Sequence, residues 1–376
     1  MMRWASTVSR KPDLVAAVEE ACTAVAADLA ARVPDLLVAF VSSHHLPRYP
    51  AVPGLVRQHL GGGLLVGCSA GGVIGGGHEV EEAPGFSLTA AALPGVTLTP
   101  LRATAPEPPR LQAAPPQLVL LADPFTFDAE TFVHAVDEAH PGATIVGGLA
   151  SGGRRPGDNA LYLEDDVYRG GLVGVELSGD VVVDTIVAQG CRPIGDPMFV
   201  TRSERNVIYE LDGRPAVLAL QLVLETLPKA DRALVRHSLF IGVVMDKHRQ
   251  EYRQGDFLIR NVLGVEPKQA ALVVGAHVQE NQVIQFHLRD AQTSADDLIH
   301  LLARQRERPE GSLLFSCLGR GHHLYGRADH DTDVFRAALG DVPLGGFFCN
   351  GEIGPVQGRT YLHGYTSAFG LFRPRR

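Results

Sequence analysis

LLVAFVSS (Leu36–Ser43), VGCSAGG (Val66–Gly72) and FSLTAAAL (Phe86–Leu93) decide the fold, because the same three-part unit returns twice. It returns first as LVLLAD (Leu118–Asp123), GGLASGG (Gly147–Gly153) and GLVGVEL (Gly171–Leu177). It returns again as SLLFSC (Ser312–Cys317), GGFFCNG (Gly345–Gly351) and GYTSAFGLF (Gly364–Phe372). Each unit reads as apolar strand, helical segment, glycine-rich turn and second apolar strand. Short apolar runs bounded by turn residues are what buried strands look like in sequence. The middle pieces keep glycines five residues apart: Gly67 and Gly72, Gly148 and Gly153, Gly346 and Gly351. Three similar turns predict a repeated scaffold whose function lies where the copies differ. The expected class is mixed α/β (α+β): repeated strand–helix–strand–strand units in mixed sheets flanked by helices, in a two-part architecture.

Outside these units, Met1–Lys11 reads as a loose start and Pro12–Arg32 as a helix. Pro100–Gln117 contains six prolines and reads as a linker, since proline removes backbone donors and fixes φ. Asp128–Ala139 is the expected helix of the second unit. Two further segments read as strand, strand, helix. Pro197–Gly213 precedes the helical Pro215–Leu227, and Ala270–Asp290 precedes the helical Ala295–Gln305. Hairpin loops are expected at Ser203–Asn206 and Gln279–Gln282. Thr293 or Ser294 is the expected N-cap of the last helix. At 376 residues the chain exceeds one ordinary core. The expected division is an N-terminal helix over 1–33, a first domain over 34–230 and a second over 231–372.

The hydrophobic share of 45% and charged share of 20% are those of a soluble globular protein. A formal net charge of −8 disfavours nonspecific binding to nucleic acid. No apolar run is long enough for a membrane span. Cys22, Cys68, Cys191, Cys317 and Cys349 are odd in number and form no CxxC pair. That pattern argues against a disulfide framework and for a reducing, cytoplasmic location.

GCSAG (Gly67–Gly71) matches the G-x-S-x-G elbow, which needs a helix immediately after the serine. GVIGGG (Gly72–Gly77) follows instead, and each helical glycine costs about 1 kcal/mol relative to alanine. A structural or ligand-facing turn is the better reading of Ser69. The same glycines lack the Lys-Ser/Thr ending of a phosphate loop. Arg154 and Arg155 offer guanidinium forks to an anion, or are simply solvated. The third unit is richest. Cys317, Arg320 and Gly321 follow its first strand; Cys349, Asn350, Gly351 and Glu352 follow its second. If these strands are neighbours, both loops leave the same carboxyl edge, where ligands of open sheets tend to sit. Arg320 and Glu352 then form an ion pair or hold the two ends of a zwitterion. Cys317 and Cys349 are thiol nucleophiles only if their pKa values are depressed, and cysteine is more often buried. The adjacent pairs His44-His45 and His322-His323 do not make a four-ligand metal site.

Several motifs in order resemble the FIST family: VGCSAGGVIG (Val66–Gly75), IVGGLASGG (Ile145–Gly153), CRPIG (Cys191–Gly195) and IYELDGRPA (Ile208–Ala216) for its N-terminal part. FLIRNVLGVEP (Phe257–Pro267), VIQFHLRDA (Val283–Ala291), DDLIHLL (Asp296–Leu302), FSCLGRG (Phe315–Gly321) and GFFCNGEIGPV (Gly346–Val356) resemble its C-terminal part. The resemblance implies a non-enzymatic sensory module for a small ligand such as an amino acid, with output through a separate signalling partner. No cofactor, metal, membrane or nucleic acid is expected, and a homo-oligomer is compatible with the sequence. The candidate contacts are Arg320, Gly321, Asn350, Gly351, Glu352, Cys349 and Cys317, with Ser69, Gly153 and Arg154 from the other units. Two other readings stay open: a Cys- or Ser-dependent enzyme, and a protein-interaction scaffold.

Overall fold

The computed structural model describes residues 1–30, 32–246, 249 and 251–375. By contacts the chain divides into two compact units, Met1–Val187 with Leu298–Arg376, and Ala188–Asp297. The expected border at 230/231 falls inside the second unit. The reason is the first unit's core, which draws Met2, Val38, Val119 and Val175 together with Leu313, Phe347 and Phe372. Nor is the N-terminus loose: Arg3–Ser9 is a strand, and buried Trp4 sits 4.7 Å from the Phe372 ring.

The first unit contains three six-stranded sheets of one plan. Sheet I runs Arg3–Ser9, Phe86–Ala92, Leu36–Ser42, Leu64–Ala70, Leu161–Leu163, Asp166–Tyr168. Sheet II runs Val96–Ala103, Leu172–Gly179, Gln117–Ala122, Thr144–Leu149, Glu352–Val356, Arg359–His363. Sheet III runs Val182–Gln189, Thr366–Arg373, Gly311–Cys317, Leu344–Cys349, Gly72–Gly75, His78–Glu81. The third and fourth strands of each sheet are its parallel pair. The first strand of each pair and its antiparallel neighbour, Phe86–Ala92, Leu172–Gly179 or Thr366–Arg373, are the strands read from the sequence. Their side chains alternate between two buried faces: Val38 and Phe40 face the shared core, while Leu37, Ala39 and Val41 pack with helix Leu14–Asp28. Val119 and Leu121 likewise face the shared core, and Leu118 and Leu120 pack with helix Ala129–Ala139. Burial on both faces explains the unbroken apolar runs.

The glycine segments are strands, where turns were expected. Gly67, Gly147 and Gly346 stand opposite Ala39, Leu120 and Leu314 across their parallel pairs. A Cβ at any of the three would overlap the carbonyl oxygen of that partner. Close backbone approach therefore selects glycine at one equivalent position per sheet. Gly147, not Gly148, is the counterpart of Gly67 and Gly346. The two glycines are adjacent, so spacing alone did not distinguish them, and Gly147 with Gly152 keeps the interval of five.

After each parallel pair the chain leaves its own sheet. From sheet I it crosses to sheet III as the hairpin Gly72–Gly75/His78–Glu81. From sheet II it crosses to sheet I as Leu161–Leu163/Asp166–Tyr168. From sheet III it crosses to sheet II as Glu352–Val356/Arg359–His363. The exchange closes a ring, so no sheet is complete without another's hairpin.

The second unit is an antiparallel run in the order Cys191–Glu204, Val283–Arg289, Leu239–Val244, Phe257–Glu266, Ala271–Val274, Val207–Leu211, Arg214–Pro215. A further pairing of Cys191–Glu204 with Val207–Leu211 closes it on itself. Ser203–Asn206 does turn a hairpin. Gln279–Gln282 does not, because Ala271–Val274 and Val283–Arg289 pair with other strands. Helix Ala291–Leu302 starts before Thr293, whose N–H donates to Asp290 Oδ1 at 2.8 Å. Asp290 thus caps it, in place of the expected Thr293 or Ser294. Among the described residues no helix is long and apolar enough to cross a membrane.

Candidate functional site

Cys317 and Cys349 end the parallel strands of sheet III in register, so the loops after them leave one carboxyl edge. Arg320 then turns inward and is 0% exposed. Its Nε and Nη2 donate to Asp331 Oδ2 and Oδ1, each at 3.0 Å, and Nη2 donates to the Tyr325 hydroxyl at 2.7 Å. Asp331 also accepts from Ser367 Oγ at 2.6 Å and Ser316 Oγ at 3.2 Å. Burial alone would raise the Asp331 pKa, but the guanidinium and the hydrogen bonds from His330, Arg320 and Ser367 hold it well below the carboxylate range. A forked, fully bonded pair is the form in which buried charge is tolerated. Tyr325 and His330 stack over it with ring centroids 3.4 Å apart.

Glu352 lies at the same edge, also wholly buried. Its Oε2 accepts from the Thr366 N–H at 3.0 Å and hydroxyl at 2.7 Å, and Cys349 Sγ lies 3.4 Å from Oε1. Burial pushes the carboxyl up to about 7, against the pull of these donors and of Arg320. The acid that pairs with Arg320 is therefore Asp331, which the sequence reading did not single out.

A cavity of about 550 Å3 opens beside this pair. One wall is the hairpin received from sheet I, with Glu79 and Glu81; the facing wall carries Leu318, His322 and His323, and Arg10 completes it. Glu79 is 2% exposed. Its Oε1 accepts from the Thr332 N–H at 2.9 Å, while Oε2 has no partner among the described residues. Burial, then the nearby Asp331 charge, pushes its carboxyl up to about 8, so it is mostly protonated at neutral pH. Glu81 is raised by burial and accepts from the His322 N–H at 2.8 Å. That approach requires Gly321, which has φ +54° and whose Cβ would overlap the Glu81 carboxylate. Asp329 Oδ1 accepts from the Glu79 N–H at 2.6 Å and ties the two walls together. The only signal for Glu79 and Glu81 was HEVE after a glycine run, with nothing local to show that it crosses to sheet III.

None of the ten sequence-selected residues lines this cavity. Cys317, Arg320, Gly321, Cys349 and Glu352 gather behind its wall. Asn350 and Gly351 tie to sheet II: Asn350 Nδ2 donates to Ala150 O at 3.2 Å, and Gly351 O accepts from the Leu149 N–H at 2.9 Å. Ser69 is buried in sheet I; its hydroxyl donates to Asn159 Oδ1 and accepts from the Ala160 N–H, both at 3.0 Å. Gly153 backs onto Asn159, and Arg154 is exposed with its N–H 3.2 Å from Asp158 Oδ2. Burial pushes the Cys349 and Cys68 thiols up, away from the thiolate a nucleophile needs. Among the described residues no group of three or more His, Cys, Asp or Glu is placed to hold a metal.

Residues 35–214 match the FIST N domain and residues 219–355 the FIST C domain. The chain belongs to the FIST family. The boundary between the two matches falls inside the second compact unit, so the FIST C match supplies strands to both units. An uncharacterised protein of Mycobacterium tuberculosis (strain H37Rv) is 37% identical across 99% of this FIST chain and 100% of its own length. One from Mycobacterium bovis is 38% identical across 99% of each. An F-box/LRR-repeat protein of Arabidopsis thaliana is 24% identical over 68% of this chain and 57% of itself. FIST domains are sensory domains that bind small ligands in signal transduction.

Proposed function

We propose that this FIST protein is a non-enzymatic sensory module and that its ligand, a small polar or amphoteric metabolite, occupies the cavity at the carboxyl edge of sheet III. The observation that carries this reading is Glu79: a buried carboxyl on the cavity wall with Oε2 lacking a protein partner. Buried polar atoms are normally bonded, so one without a partner among the described residues, on a side chain that lines a cavity, suits a ligand that reaches it on binding. Glu81, His322 and His323 offer further polar contacts, and Arg10 an opposite charge for a zwitterion. Arg320, with Asp331, serves as the frame that holds the 318–331 wall in place, and Glu352 supports that frame from behind. The three parallel pairs are copies of one unit, and ligand occupancy passes to a signalling partner.

The test is thermal stabilisation against a panel of amino acids and small amines. A ligand at about 100 times its Kd adds about 2.7 kcal/mol and raises Tm by a few degrees. Glu79→Gln and Glu81→Gln should remain folded and lose that shift. A panel without any stabilising member, or equal shifts in both variants, would overturn the assignment.

A further inference from the structure

Two neighbouring cavities, of about 340 and 430 Å3, open at the opposite end of sheet III, where its parallel strands begin. They share Arg3, Trp4, Asp341, Val342 and Pro343, and neither shares a lining residue with the Glu79 cavity. Three guanidinium groups, of Arg3, Arg32 and Arg308, line the larger one. Arg3 Nε donates to the Asp28 carbonyl and Arg32 Nη1 to the Met1 carbonyl, each at 2.7 Å. Arg308 makes no hydrogen bond or ion pair among the described residues. None of the three is paired with a carboxylate. Two acids stand on the same wall, Glu310 and Asp341, and Asp341 lies 3.9 Å from a fourth arginine, Arg336.

Three arginines against two acids on one wall, none of the three in an ion pair among the described residues, leave an excess of positive charge in a chain of formal net charge −8. The cavity floor adds a second observation. Trp4 is 4% exposed, its ring held against Phe372 and over Gly311, where a Cβ would collide with it. Its indole Nε1 is buried without a partner among the described residues. A buried donor lacking an acceptor is costly, and Trp4 lines this cavity.

We propose that this cavity is a second ligand site, for a small multivalent oxyanion: a phosphate ester or a di- or tricarboxylate. Guanidinium forks match the geometry of both groups, and Trp4, Pro309 and Pro343 offer apolar contact to the rest of the molecule. Arginines line this cavity where the carboxyls of Glu79 and Glu81 line the other, so the two cavities present different chemistry.

Trp4 is the single tryptophan of the chain, so intrinsic emission reports on this cavity directly. Full-length protein is titrated with pyrophosphate and with citrate at constant ionic strength, with sodium chloride as control. A saturable emission change with either anion is expected. The half-saturation concentration should rise about tenfold or more in Arg308→Gln and stay unchanged in Arg110→Gln, a substitution away from the cavity. Arg308 is exposed and unpaired, so the unliganded variant should melt as the wild type does. Saturation by pyrophosphate alone assigns phosphate esters, and by citrate alone, carboxylates. No saturable change, a response equal to that of chloride, or an undiminished response in Arg308→Gln overturns the proposal.

Discussion

At the carboxyl edge of sheet I, Ser69 bonds Asn159, Asn159 Nδ2 donates to Asp123 Oδ1 at 2.8 Å, and Thr126 Oγ1 donates to Asp123 Oδ2 at 2.6 Å. Each of these four side chains bonds another. At the carboxyl edge of sheet III, a forked Arg320–Asp331 pair lies beneath Glu79 and Glu81, and a cavity remains. The backbones are alike: a parallel pair, a glycine at the close approach, then a hairpin received from another sheet. The difference is the cargo of that hairpin. Sheet I receives Leu161, Tyr162 and Leu163, all buried, whereas sheet III receives the carboxyls of Glu79 and Glu81. Exchange thus lets one scaffold present different chemistry at equivalent edges, and the chemistry is encoded in a neighbour's segment.

The largest expected effect tests the shared part. Gly67→Ala, Gly147→Ala and Gly346→Ala each place a Cβ against a carbonyl oxygen of the paired strand. Each should lose about 4 kcal/mol or more of stability in urea denaturation, or fail to fold. A tolerated substitution at one of the three would break the equivalence of the sheets. The next effect tests the part that differs. Asp331→Ala strands the Arg320 charge in the interior and should cost about 3–5 kcal/mol. Ser69→Ala, at the sheet I edge, removes the hydroxyl that accepts from the Ala160 N–H and should cost about 1–3 kcal/mol. Equal losses would mean that the two edges are not energetically distinct.

The first apolar strand of each unit, the helices Leu14–Asp28, Ala129–Ala139, Ala216–Thr226 and Ala291–Leu302, and the carboxyl edge carrying Arg320 and Glu352 were legible, because period and turn residues are local signals; Arg3–Ser9 and the glycine strands were not. Asp128 before Ala129–Ala139 is one case, its side chain accepting from the Thr131 N–H at 3.0 Å. The hairpin exchange was not legible. His78–Glu81 finds Thr332 some 253 positions away, and Glu352 pairs with Gly148 in another sheet. Periodicity says that a strand exists and is silent about which sheet takes it. Asp331 was hidden for a related reason. It stands among Asp329 and Asp333 at a helix start, where acids are ordinarily solvated and favoured by the dipole, and only burial sets it apart.

The smallest effect is also the most specific to sheet III. Glu79 and Glu352 are held up to about 8 and about 7, chiefly by burial. A carboxyl raised in the folded state binds its proton more tightly there than in the unfolded chain. Its contribution is complete below the unfolded pKa and is lost as pH rises through the folded value. Between pH 6.5 and 8 stability should therefore fall, on the order of 2 kcal/mol for the two groups together. Asp331, Asp290 and Asp128 are depressed, so they act on stability only at acid pH. His287, lowered to about 4 by burial, is neutral in the fold but titrates near 6.5 in the unfolded chain, so it offsets the fall by only about 0.4 kcal/mol across this window. Urea denaturation at closely spaced pH values measures the slope. Glu79→Gln should remove the larger share of it, because the amide still accepts from the Thr332 N–H but no longer titrates. Ser69→Ala should leave the slope untouched while lowering the whole curve. A wild-type profile that is flat from 6.5 to 8 would place both carboxyls in solvent and dissolve the distinction between the two edges.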